Sequence, residues 1–135
     1  PHQGICPEGW HIPTDDDFKQ LEMAVGMSEA QANSTGWRGS PAGSKLAGNS
    51  DLWGATRTIV TTDGFEDSGF MALPAGYRSS FGSSFNYLNV STSWWSSSQS
   101  SSTNSWRRYL HRGYSDVYRN TYNKLYGFSL RCVRD

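Results

Sequence analysis

The stretch "IPTDDDFKQLEMAVG", residues 12–26, decides the fold, because its residue order spells out a helix together with both its ends. Pro13 leads into Thr14, whose hydroxyl suits an N-cap. Asp15, Asp16 and Asp17 then place negative charge at the positive end of the helix dipole. Phe18, Leu21 and Val25 recur at three- and four-residue spacing to make one apolar stripe, and Gly26 offers a C-terminal stop. Three adjacent carboxylates could also serve a metal or acid chemistry, but capping is a sufficient reason for them. A shorter helix is expected at Ser28–Asn33.

Outward from this helix the pattern changes. Residues 35–54, "TGWRGSPAGSKLAGNSDLWG", are rich in glycine and serine and are expected to form an irregular loop anchored by Trp37, Leu46 and Trp53. Beyond it the chain reads as strands and turns: "GFMALPAGYR" (69–78), "FNYLNVSTSWWSSS" (85–98), "WRRYLHR" (106–112), "DVYRNTY" (116–122) and "YGFSLRCVRD" (126–135). In the last of these, Phe128, Leu130 and Cys132 alternate with polar residues. The serines of 96–102 are expected on a surface loop between two strands. Helices early and antiparallel strands late make an α+β pattern.

The 135 residues fit one domain, 1–135, long enough to bury a core. Low hydrophobic content (36%) with 14% aromatics and 14 glycines points to packing by large rings between tight turns. Twelve basic residues cancel twelve acidic ones, so no global field draws in nucleic acid or an anionic membrane, and no apolar run is long enough to span a bilayer. No signal peptide stands at Pro1. Cys6 and Cys132 lie near opposite ends. They could form a disulfide if the ends meet, which implies an oxidising compartment, or remain buried thiols; a zinc site with His2 and His11 lacks paired-ligand spacing.

"CPEGWHIPTDDDFKQLE" (6–22), "GFMALPAGYR", "WWSSS" (94–98) and the closing "YGFSLRCVRD" together resemble the Fibrobacter succinogenes major paralogous domain over almost the whole chain. "HIPTDDDF" and "RCVR" are also similar to the formylglycine-generating-enzyme-like branch of C-type lectin folds. The resemblance implies a C-type-lectin-like domain: early helices on a small twisted antiparallel sheet, neighbouring ends, and long irregular loops carrying a variable surface. Such domains begin with further strand sequence before "CPEGW", and only Pro1 to Ile5 precede it here, so an N-terminal edge strand is expected to be missing, cleaved or replaced. Formylglycine-generating enzymes use paired reactive cysteines on copper, whereas Cys6 and Cys132 stand in structural-looking positions. The Glu-Pro-Asn, Gln-Pro-Asp and Trp-Asn-Asp signatures of calcium-dependent lectins are absent.

No catalytic residue and no cofactor is expected: there is no serine in a glycine elbow and no evident histidine partner. Asp63, Glu66 and Asp67 form a weak calcium candidate on a turn that matches no fixed-ligand loop. Arg107, Arg108, Arg112 and Arg119, interleaved with Tyr109, Tyr114, Tyr118 and Tyr122, could stack on bases and pair with phosphates. With zero net charge, however, no specific nucleic-acid binding is expected.

The remaining candidate is "SWRRYLHRGYSDVYRNTYNKLYGF", 105–128. Tyrosine supplies rigid contact area while serine, glycine and asparagine adapt their hydrogen bonds, the chemistry of a binding loop. His111, Gly113, Tyr114, Ser115, Asp116, Tyr118, Asn120, Thr121, Tyr122, Asn123, Leu125 and Tyr126 are all reachable from an asparagine codon by changing its two adenines, while Glu, Gln, Met and Trp are absent from 111–126. This resembles the variable region of proteins diversified by retroelements, with Arg119 and Lys124 as fixed frame. The expectation is a non-enzymatic, secreted or surface-displayed module that binds a protein or glycan on another cell or particle, with no membrane insertion. The other classes are a structural domain of a larger surface protein and a formylglycine-type enzyme relative. His111, Tyr114, Asp116, Tyr118, Asn120, Tyr122, Asn123 and Tyr126 are expected to be exposed on one face, above buried Trp95, Trp106, Leu110, Val117, Phe128 and Leu130.

Overall fold

The computed structural model describes residues 3–81 and 84–135. The chain begins with a short strand β1 (Trp10–His11) and then helix α1 (Asp15–Ala24). Thr14 caps α1 as its residue type dictates: its Oγ1 accepts from the Asp17 amide at 3.1 Å, and the Asp17 carboxylate returns to the Thr14 amide at 2.8 Å. Phe18 is buried in the core, with Leu21 and Val25 packed against it. Helix α2 (Glu29–Asn33) follows, with Ser28 and Gln31 in a second capping box.

The expected irregular loop 35–54 is more structured than its composition suggests. It contains strand β2 (Gly36–Arg38), helix α3 (Ala42–Leu46) and a 3-10 turn at Ser50–Trp53. Leu46 and Trp53 anchor it from within, and the Trp53 indole donates to the Gly48 carbonyl at 3.0 Å. A one-turn helix α4 (Thr58–Thr61) lies where only strands and turns were expected; it buries Ile59 completely.

Strands β3 (Ala75–Arg78), β4 (Phe85–Leu88), β5 (Ser91–Gln99), β6 (Asn104–His111) and β7 (Val117–Asn123) join β2 in a sheet of order β2-β7-β6-β5-β3-β4. The sheet is mixed, because β3 meets β5 in parallel through Gly76 and Thr92. Strand β8 (Val133–Arg134) pairs with β1 in a separate two-stranded sheet. The whole is an α+β fold, with several helices packed against two sheets.

Two strand expectations are corrected. The serine tract does not begin a loop at 96, since β5 continues to Gln99 and the chain turns only afterwards. Its serines dock the start of α1: Ser97 donates its amide to the Pro13 carbonyl at 2.8 Å, and Ser98 Oγ accepts from the Asp15 amide at 2.9 Å. The closing segment is not a continuous alternating strand either. Only Val133–Arg134 is regular, with single bridges from Gly127 to Arg78 and from Ser129 to Trp94 before it, and Leu130 is exposed rather than buried.

The ends of the described chain meet. Cys6 and Cys132 form a disulfide with alpha carbons 5.9 Å apart, closing a loop of 126 residues. In the chain-entropy model such a loop stabilises the fold by about 5 kcal/mol. The bond also removes both thiols from any zinc or copper site; His2, the third zinc candidate, lies outside the described residues. His11 bridges the same seam, its ring nitrogens 2.6 Å from Asp135 and 3.3 Å from Asp17. The hydrogen bond to Asp135 is the main cause that raises its pKa, against the opposing pull of desolvation. Among the described residues no helix is long and apolar enough to cross a membrane.

Candidate aromatic recess on the outer sheet face

Residues directly opposite each other in paired strands share a face. Trp37 faces Tyr118, Tyr118 faces Tyr109, Asn120 faces Arg107, and Arg107 faces Trp95. Their chain neighbours Arg38, Arg108, Leu110, Val117 and Arg119 therefore turn to the opposite, helix-covered side, where all are buried.

The inner side is held by ion pairs as well as by apolar packing. Glu22 of α1 accepts from Arg38 Nη2 and Arg108 Nε, each at 2.6 Å. Asp15 accepts from Arg108 Nη1 at 2.7 Å and from Arg119 Nη2 at 2.6 Å. Burial pushes the Asp15 pKa up, but the hydrogen bonds and charges of Arg119 and Arg108 outweigh it and hold the carboxyl at about 2. Of the three aspartates Asp15 thus has a second role beyond the helix dipole: it ties the first turn of α1 to β6 and β7. Arg119 also donates to the Asn33 carbonyl at the end of α2 and stacks 3.9 Å from the Trp106 ring centroid. Arg108 and Arg119 are thereby withdrawn from any phosphate outside.

The outer side is a concave recess of about 540 Å3, lined by Trp37, Tyr77, Tyr87, Arg107, Tyr109, His111, Tyr118, Asn120, Tyr122 and Phe128. Its volume falls in the range of small-ligand clefts. The rings brace one another. Tyr118 meets Trp37 edge-on at 5.0 Å, Tyr77 stacks on Tyr87 at 5.7 Å, and Tyr122 packs against Phe128 at 5.5 Å. At the floor the Arg107 guanidinium lies 4.0 Å from the Tyr122 centroid, donating to Asn120 Oδ1 at 2.9 Å and Ser93 Oγ at 3.2 Å. Burial lowers the Arg107 pKa and raises those of Tyr77, Tyr109 and Tyr122. Burial, with the charge of Arg112, lowers that of His111, so the imidazole is neutral at pH 7.

Of the residues singled out from sequence, His111, Tyr118, Asn120 and Tyr122 line this recess. Tyr126 stands against Tyr122 at 4.8 Å, and Tyr114 stacks flat on Trp37 at 4.2 Å. The others lie elsewhere. Gly113, Ser115 and Asp116 belong to the β6–β7 connection, which rests on α3 through the Ser44 amide and the Ser115 carbonyl. Thr121 lies opposite Trp106, on the other side of the sheet, while Asn123 and Leu125 lie at and beyond the end of β7.

The expectation of full exposure is also corrected. Tyr114 and Asn123 are exposed, whereas His111, Tyr118, Asn120, Tyr122 and Tyr126 are half-buried because the recess makes its rings each other's neighbours, and Asp116 is half-buried in the β6–β7 connection. Trp95 and Phe128 are half-buried on the same outer side, 4.4 Å apart, and Trp106 is half-buried against Arg119. Trp37, Tyr77 and Tyr87, which complete the recess, were not among the sequence candidates, and Arg107 and Tyr109 lie within the candidate stretch but were not named as contact residues. For Arg107 and Tyr109 the signal was available: both share the strand parity of His111.

The calcium candidate does not assemble. Glu66 turns its carboxylate to the Asn49 amide at 2.5 Å, and among the described residues no three His, Cys, Asp or Glu side chains group so as to hold a metal ion.

The family model of the Fibrobacter succinogenes major domain matches residues 1–134. No curated protein and no solved structure matches the chain.

Proposed function

The chain belongs to the Fibrobacter succinogenes major domain family, and from that premise we propose that it is a non-enzymatic recognition module, displayed at or secreted from a cell or particle surface. Its binding face is the aromatic recess, and its ligand is a protein or glycan on another surface. The observation that carries this is the parity of β6 and β7. One set of side chains is committed to ion pairs and core, and the alternate set converges on an open, ring-lined cleft with a few polar groups, as ligand sites do. The disulfide supports an oxidising compartment.

The scaffold is that of a C-type-lectin-like domain, and the adenine-reachable residues of 111–126 are positions open to retroelement diversification. Tyr118, Asn120 and Tyr122 are at once reachable in this way and on the recess, so diversification there would change the ligand while leaving the inner side intact. A reverse transcriptase gene beside a near-repeat of the codons for 105–135 is the expected neighbourhood.

The binding test is an array of glycans and surface proteins probed with the wild-type chain and with Tyr118→Ala/Tyr122→Ala. The double variant is expected to stay folded and to lose at least about tenfold in binding to whatever the wild type retains. Unchanged binding by the variant would place recognition elsewhere.

A further inference from the structure

Arg107 differs from Arg38, Arg108 and Arg119 in what answers its charge. Arg38, Arg108 and Arg119 each meet a carboxylate at 2.6 to 2.7 Å. Arg107 meets only neutral groups: Asn120 Oδ1, Ser93 Oγ and the faces of Tyr122, Tyr109 and Phe128. Among the described residues no acidic side chain lines the recess, Arg107 has no ion pair, and its Nη2 has no protein acceptor. Ring faces compensate part of the charge of a half-buried guanidinium. The rest is left for solvent or for an arriving anion, to which a guanidinium offers a planar fork.

Resting on the recognition face proposed above, we infer that the recess takes a sugar acid, a pyranose ring carrying a carboxylate, as in the uronate residues of acidic glycans. Such a ring brings three features that the recess answers separately. The carboxylate pairs with Arg107, the ring's C–H face lies against the aromatic walls, and the hydroxyls meet the phenols of Tyr77, Tyr118 and Tyr122 and the carboxamide of Asn120. A neutral sugar leaves Arg107 unpaired. An acidic amino-acid side chain supplies the charge but no flat body to fill a ring-lined cleft of about 540 Å3. His111, neutral at pH 7, adds no second charge.

The test uses methyl uronides of gluco, galacto and manno configuration, each beside the methyl glycoside that differs only in the carboxylate, with acetate as the bare anion. Binding is followed by chemical-shift changes of the tyrosine and tryptophan rings. At least one uronide is expected to bind roughly tenfold tighter than its glycoside and than acetate, and Arg107→Gln is expected to abolish that difference. Should Arg107→Gln unfold, Arg107→Lys replaces it and is expected to weaken the preference while rising salt weakens uronide but not glycoside binding. Equal binding of uronides and glycosides, acetate binding as tightly as any uronide, or a preference that survives Arg107→Gln overturns the inference. If no uronide is preferred but the array ligand still depends on Tyr118 and Tyr122, the recognition face stands and only its anionic specificity falls.

Discussion

Arg107 and Arg108 are adjacent, identical in type and opposite in use. Arg108 is almost wholly buried between Asp15 and Glu22, whereas Arg107 is half-buried in a cup of tyrosines with no carboxylate beside it. The same division runs through Tyr118 beside Arg119 and Trp37 beside Arg38. Strand alternation alone separates each pair. The inner member fastens the sheet to α1, and the outer member is left free for contact. In these three pairs polar composition does not mark a surface; parity does.

The sharpest way to break this comparison is to attack the inner side at its centre. Glu22 answers two guanidiniums, so Glu22→Ala leaves the buried Arg38 without a carboxylate and Arg108 with Asp15 alone, and is expected to cost about 3–5 kcal/mol in denaturant unfolding. A loss near that of a surface substitution would mean that the ion pairs do not hold the sheet.

Acid attacks the same side more gently. The Asp15 pKa falls from the ordinary 3.8 to about 2 on folding, so its contribution is fully present above pH 3.8 and is lost as the pH falls through 2. A shift of that size corresponds to about 2 kcal/mol. Unfolding free energies measured across that window should show the loss in wild type and not in Asp15→Asn. Equal pH slopes in the two proteins would remove Asp15 from the account.

On the outer side the balance reverses. Tyr118→Ala is expected to cost about 1 kcal/mol of stability, for lost ring packing on Trp37, but about 1–4 kcal/mol of affinity once a ligand is in hand. A stability loss as large as that of Glu22→Ala, with binding intact, would make the tyrosines core.

Much of this could be read from residue order where the controlling interactions are local. Thr14 and Asp17 cap α1, Ser28 and Gln31 cap α2, and both capping boxes involve neighbours three residues apart. The choice among Asp15, Asp16 and Asp17 could not be read, because it depends on which of them α1 turns toward arginines about a hundred residues away. The extent of β5 was hidden for the same reason: serine is not one of the β-branched or aromatic residues that favour strands, and here it is held in the strand by the Ile12–Pro13 backbone and by β6. His111, Tyr118, Asn120 and Tyr122 were named from composition only as part of a set of twelve, the other eight of which do not line the recess. Their partners Trp37, Tyr77 and Tyr87 come from distant segments that only the sheet order brings together.

The division of the sheet can be tested without any ligand. In a library carrying every single substitution from Asn104 to Asn123, selected for protease resistance, tolerance should alternate with period two along each strand. Arg107, Tyr109 and His111 in β6, and Tyr118, Asn120 and Tyr122 in β7, should accept most residues, while Arg108, Leu110, Val117 and Arg119 accept almost none. A flat profile, or intolerance centred on the tyrosines, would contradict it.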